Sequence, residues 1–175
     1  MQKARDYVQK SLTIESDNTS SMNVMGNADL FAENYREGET FFRKTLGRSV
    51  ALGDFCFRSS STGLGFCLMN LGKREEGLKL LGESRSGHEK AIERGSELSA
   101  VRYELATINA AEGKGRAALE WLQKAIDLGW RDYRYAQRDP MLESLRGDAR
   151  FVTMIADMKA KVEEQRKLVQ EMEQQ

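Results

Sequence analysis

Few residues in this chain could do chemistry, and their spacing limits what that chemistry could be. His88 is the single histidine, so a Ser-His-Asp arrangement would have to use it, and a multi-histidine metal site is excluded. Its surroundings favour a solvent-facing helical residue. Cys56 and Cys67 stand eleven apart on what reads as one helix, ~16 Å from each other along the axis. They are too far apart to bridge and read as free thiols in a reducing compartment. Pairing Cys67 with His88 would supply a nucleophile and a base, but the chain offers no oxyanion loop and no third group to orient the base. The stretch "GKGR" at residues 113 to 116 places glycine and lysine ahead of a helix. It lacks the Walker spacing and the preceding strand that position phosphates, and reads as an interhelical turn. Glu163 and Glu164 lack calcium-loop spacing. No catalytic residue, metal site or cofactor is assigned, and the chain reads as a non-enzyme.

The elements that must position any functional residue are helices. Of 175 residues only Pro140 is proline, and the abundance of Glu, Lys, Leu and Ala favours helix throughout. No alternating Val, Ile and Thr runs suggest strands. Lys and Arg total 27, matched by 27 Asp and Glu, so no net field draws the chain to nucleic acid or to an anionic membrane. The opening MQKARDYVQKSLT has no apolar signal region and no membrane-length apolar run follows, which points to a cytoplasmic protein.

Glycine recurs inside helical patterns, where it costs about 1 kcal/mol relative to alanine. Large-small pairs occur at Met25-Gly26, Leu64-Gly65 and Leu105-Ala106, and twelve residues after each small member stands another, at Gly38, Gly77 and Ala118. Ala4 begins an incomplete first copy. Four residues further come Val8, Phe42, Leu81 and Leu122, and three beyond those Ser11, Thr45, Ser84 and Ala125. Small residues at matched places let helices approach closely, with the large residue filling the adjoining hole.

This pattern resembles the tetratricopeptide repeat. The resemblance covers roughly residues 3 to 130 and implies an all-α, right-handed solenoid of antiparallel helix pairs. The repeats would fall at about 20–54, 58–95 and 99–130, preceded by helix B of a truncated repeat at 3–16, so that 1–132 form the array. The family's frequent Trp, Tyr and Pro are replaced, by Met22, Ser61 and Arg102, by Asp29, Leu68 and Asn109, and by Ser16, Val50, Glu89 and Trp130. Successive copies are offset by 34, 39 and 41 residues, which implies later B helices longer by one or two turns. Gly82 and Gly87, which have no packing role in the pattern, make helix B of the third copy the weakest element and the place where a break would fall. The small-residue pattern alone would also suit another helical hairpin array or bundle.

Residues 133–175 read as a connector, a short helix with Asp139 as N-cap and Pro140 in its first turn, and a long C-terminal helix capped by Asp148. That helix carries Phe151, Ile155, Met158, Val162, Val169 and Met172 in one stripe, interrupted at Gln165. A parallel coiled coil would set Lys161 against Arg166, so packing on the last repeat, with a frayed polar tip, is favoured. The chain opens on helix B without its partner helix, which points to a piece of a longer protein, or to a first helix packed on a second copy. The run from Leu119 to Phe151 resembles tails that close tetratricopeptide arrays in bacterial multidomain signalling proteins, after kinase, cyclase or winged-helix domains.

Such solenoids imply a groove lined by the A helices. On that face lie Asn23, Asn27 and Phe31, then Thr62, Phe66 and Asn70, then Tyr103 and Thr107. Amides can bond the N–H and C=O of an extended peptide while Phe and Tyr anchor it; equally, some of these groups could pack on neighbouring helices. A carboxylate clamp of the kind some family members use would need basic residues where Ala100 and Glu104 stand, so none is expected. The chain is therefore expected to bind a protein or peptide, with homodimerisation through the first or last helix as the alternative.

Overall fold

Small residues bring helices together in this chain, and the contacts show how. The computed structural model describes residues 6, 8, 10, 11, 13, 14, 17–47 and 58–174. The described elements are all helical and divide into two compact units, Met1–Arg94 and Gly95–Gln175.

In the first unit, α1 (Thr19–Phe31) pairs with α2 (Tyr35–Thr45), and α3 (Ser60–Asn70) with α4 (Arg74–Glu93). Asn18 and Ser59 start α1 and α3 by accepting the Ser21 and Thr62 amides, the ordinary satisfaction of a first-turn donor. A methyl group on Gly26 would meet the Phe42 ring at 3.0 Å, one on Gly63 would meet it at 2.3 Å, and one on Gly77 would meet the Gly65 carbonyl at 2.6 Å. A methyl group on Gly38 would meet Cys67 Sγ at 3.0 Å. The two hairpins thus interlock around Phe42, itself fully buried. The small residues set their spacing, and Gly63 does so although it lies outside the repeating pattern. Arg43 joins Glu39 and Glu76, and Lys73 joins Glu39 at 3.0 Å, tying α2 to the start of α4. Burial pushes the Glu39 carboxyl up, but the Lys73 and Arg43 hydrogen bonds outweigh it and hold the group below its ordinary range.

In the second unit, α5 (Ser99–Ala111) pairs with α6 (Gly115–Asp127), followed by α7 (Tyr133–Arg138), a 3-10 helix (Pro140–Leu145) and α8 (Ala149–Glu173). Ala106, Ala110, Ala118 and Ala125 are buried together with Leu119, Leu122, Leu142, Leu145, Phe151, Ile155 and Met158. The first half of α8 thus closes this core, as the stripe predicts.

One device ends four of the helices. The Asn34, Lys73, Lys114 and Trp130 amides donate to the carbonyls of Asp29, Leu68, Asn109 and Ala125, at 2.8 to 2.9 Å. The residue before each is left-handed: Glu33 (φ 60), Gly72 (φ 81), Gly113 (φ 79) and Gly129 (φ 96). This is the Schellman closure, which consumes terminal carbonyls that would otherwise stay unbonded.

Several expectations need correction. Cys56 and Cys67 do not share a helix: Ser59 is extended (ψ 144) and α3 begins at Ser60, while Cys56 lies outside the described residues, as do Ala4, Ser16 and Val50. Only α4 is lengthened, to 20 residues against 11 in α2 and 13 in α6. After α2, Leu46 is extended and Gly47 left-handed (φ 74), so α2 ends without the extra turns. Helix α4 runs unbroken through Gly82 and Gly87, which face open space; sustained i to i−4 bonding costs two glycines less than a break would. The connector contains α7, started by the Asp132 side chain on the Tyr135 amide. The tip of α8 is helical to Glu173 rather than frayed.

Candidate functional site

The eight residues expected to line a groove have separate fates. Asn23 and Thr62 are fully buried. Asn23 Nδ2 donates to the Arg58 carbonyl and to Ser60 Oγ, both at 3.1 Å, and Ser60 Oγ in turn lies 2.8 Å from Thr45 Oγ1. Thr62 Oγ1 is 2.7 Å from Ser84 Oγ and 2.7 Å from Ser59 Oγ. These hydroxyls and the amide form a buried network holding α3 against α1, α2 and α4. Satisfied networks of this kind fix one packing arrangement, because any other leaves polar groups unbonded.

Tyr103 and Thr107 are buried in the second unit. Tyr103 stacks on Trp130 with centroids 4.0 Å apart and planes 7° from parallel, and its hydroxyl donates to Asp139 Oδ2 at 2.8 Å. Thr107 Oγ1 donates to the Glu104 carbonyl. Asp139 Oδ1 caps the 3-10 helix through the Met141 amide, and Ser144 Oγ lies 3.4 Å from the Ala110 carbonyl. The 3-10 helix therefore runs along α5 and occupies the face that Tyr103 would have offered a ligand. Trp130 was legible only as a departure from the repeat; its role as a stacking partner was not, because nothing local links it to a tyrosine 27 residues earlier.

The other four residues lie in the first unit and differ in exposure. Asn27 is 7% exposed, Phe66 9%, Phe31 half-buried and Asn70 exposed. Both amides are held alike: Asn27 Nδ2 donates to the Asn23 carbonyl at 2.9 Å and to Asn23 Oδ1 at 3.0 Å, and Asn70 Nδ2 to the Phe66 carbonyl at 3.0 Å. Anchoring the nitrogens leaves the oxygens as acceptors, and Asn27 Oδ1 has no partner. Tyr35 meets the Phe66 ring edge-on at 6.0 Å. Asn27 and Phe66, and likewise Phe31 and Asn70, are equivalent repeat positions on α1 and α3.

The thiol of Cys67 is fully buried and, mainly by that burial, pushed up to about 12. It remains a neutral thiol at physiological pH and no nucleophile. Among the described residues no group of three His, Cys, Asp or Glu side chains is placed to hold a metal ion, and no helix is long and apolar enough to cross a membrane.

No protein-family model matches the sequence, and no curated protein matches it significantly. Solved structures with a similar backbone include a crystal structure of MamA, 14% identical over 93% of this chain and 89% of that chain, with a TM-score of 0.44. A MamA RS-1 ArsTM double mutant is 18% identical over 91% and 85% of the two chains, with a TM-score of 0.41. Similarity at this level carries no information about ligand or partner.

Proposed function

We propose that the chain is a non-catalytic protein-interaction module, and that the strip formed by Asn27, Phe31, Phe66 and Asn70 in the first unit receives an extended segment of a partner protein. The observation that carries this reading is the exposed amide of Asn70, whose Nδ2 donates to the Phe66 carbonyl at 3.0 Å and so leaves its oxygen as an acceptor at the surface. A peptide N–H can donate to that oxygen in place of water. Phe31 and Phe66 would supply apolar anchors that lose little rotamer freedom. In a larger regulatory protein of the kind the tail resembles, such a module would recruit rather than catalyse.

Peptide display against the intact chain, followed by titration of selected peptides, tests the reading. Selected peptides should perturb the NMR signals of Asn27, Phe31, Phe66 and Asn70. They should bind the folded Phe31→Ala/Asn70→Ala variant about tenfold more weakly or worse. Undiminished affinity for that variant would place the site elsewhere.

One observation favours self-association as a second reading. Leu168 and Val169 are 54% exposed and Met172 75%, on an intact helix where Val169 and Met172 continue the spacing of buried Ile155 and Met158. Light scattering over a concentration series, repeated with Val169→Glu/Met172→Glu, decides it: a monomer at every concentration rules this reading out.

A further inference from the structure

A recess lies wholly within the second unit. It has a volume of about 460 Å³ and is lined by Gln137, Arg138, Arg146, Phe151, Val152 and Ile155. Phe151 and Ile155 are buried and give it an apolar floor, and Val152, 55% exposed, extends that floor to the surface. Two arginines stand at its edge. Arg146 Nη2 lies 3.5 Å from the carbonyls of Arg138 and Asp139, at the end of α7. Those carbonyls hold the guanidinium over the recess and leave its charge largely unmatched. Its ion pair with Glu143 spans 3.7 Å to a carboxylate 73% exposed, a pairing that water screens strongly. Arg138 has no ion pair among the described residues. Arg150 lies nearby in sequence, but its charge is matched by Asp148 at 2.9 Å.

An apolar floor beneath two guanidinium groups selects a ligand that is apolar at one end and anionic at the other. Arginine binds carboxylates through parallel N–H donors, about twice as strongly as neutral hydrogen bonds. Water would solvate the guanidinium groups alone equally well, so the floor is what adds affinity for a particular segment. We propose that this recess is a docking site for an acidic partner peptide: a carboxylate side chain engages Arg138 and Arg146, and the aliphatic side chain beside it fills the space over Phe151, Val152 and Ile155. The site is separate from the strip on the first unit and recognises charge where that strip recognises backbone.

The test uses the intact chain and two synthetic heptapeptides, Gly-Ser-Gly-Asp-Leu-Gly-Ser and its counterpart with Asn for Asp. Titration is followed by NMR at the methyl groups of Val152 and Ile155 and at the backbone amides of Phe31, Phe66 and Asn70. The acidic peptide should move both methyl signals, with the Asn peptide about tenfold weaker. Arg138→Gln, at an exposed position that carries no packing, should weaken the acidic peptide to a similar degree while leaving the rest of the spectrum unchanged. Arg138→Gln/Arg146→Gln should abolish the response. Equal binding of the two peptides, or no response at millimolar peptide, overturns the proposal. Equal shifts with inorganic phosphate alone would make the recess a general anion site and also overturn it. Shifts confined to Phe31, Phe66 and Asn70 would overturn it while supporting the strip, so the two proposals fail separately.

Discussion

Glu33 holds a backbone conformation that its three counterparts give to glycine. At φ 60 it closes the first hairpin as Gly72, Gly113 and Gly129 close the others, with the same pair of bonds to the preceding turn. A side chain in that region is strained, so Glu33→Gly should raise stability by about 0.5–1 kcal/mol, read as a higher melting temperature. The left-handed residue was not legible in the sequence, because glutamate gives no such signal. Cys67 offers a second measurement at this scale. With its thiol pushed up from 9.0 to about 12, the folded protein at pH 8 holds about a thousandfold less thiolate than the unfolded chain. Alkylation of Cys67, separated from Cys56 by peptide mapping, should therefore be slow in buffer and fast in denaturant. The folded state keeps the proton more tightly, so its advantage is full below pH 9.0 and is lost as pH rises from there toward about 12. Fast labelling in buffer would mean that the burial is absent in solution.

At the scale of elements, two glycines in similar helical settings should respond in opposite directions. A methyl group at Gly63 would sit 2.3 to 2.6 Å from the ring of fully buried Phe42, whereas one at Gly82 would meet nothing within 4 Å. Gly63→Ala should cost about 1–3 kcal/mol through overpacking. Gly82→Ala should add about 0.5–1 kcal/mol through helix propensity. Urea denaturation of both variants measures the contrast, and equal effects would contradict the packing described. The hairpins were legible because a contact between helices repeats in sequence at every copy: Gly26, Gly65 and Ala106 mark it. Gly63 was not legible, since only the path of the Phe42 ring makes it essential. The groove was the least legible part. Asn23, Thr62 and Tyr103 have side chains suited to a ligand, but the same chemistry bonds Ser60, Ser84 and Asp139, and sequence spacing cannot say which partner is nearer.

For the whole molecule, balanced charge sets the expected salt response. With 27 basic and 27 acidic side chains, there is no net field to steer a ligand. Peptides held by the strip of Asn27, Phe31, Phe66 and Asn70 should therefore bind about equally at ~0.05 and ~0.5 M salt, whereas binding at the two arginines should weaken. Isothermal titration at the two salt concentrations separates them, and a steep loss for strip-bound peptides would contradict a contact made by backbone and apolar groups. The aromatic stack bears on a different question. Both tryptophans, Trp121 and Trp130, belong to the second unit, and Trp130 is buried face to face with Tyr103. Tryptophan emission, excited at the red edge where tyrosine does not absorb, is thus a private reporter of Gly95–Gln175, blind to the remainder, while circular dichroism sums every helix. Melts that superpose by the two optical signals would describe a single cooperative body, and melts that diverge would give each half its own midpoint without a label being added.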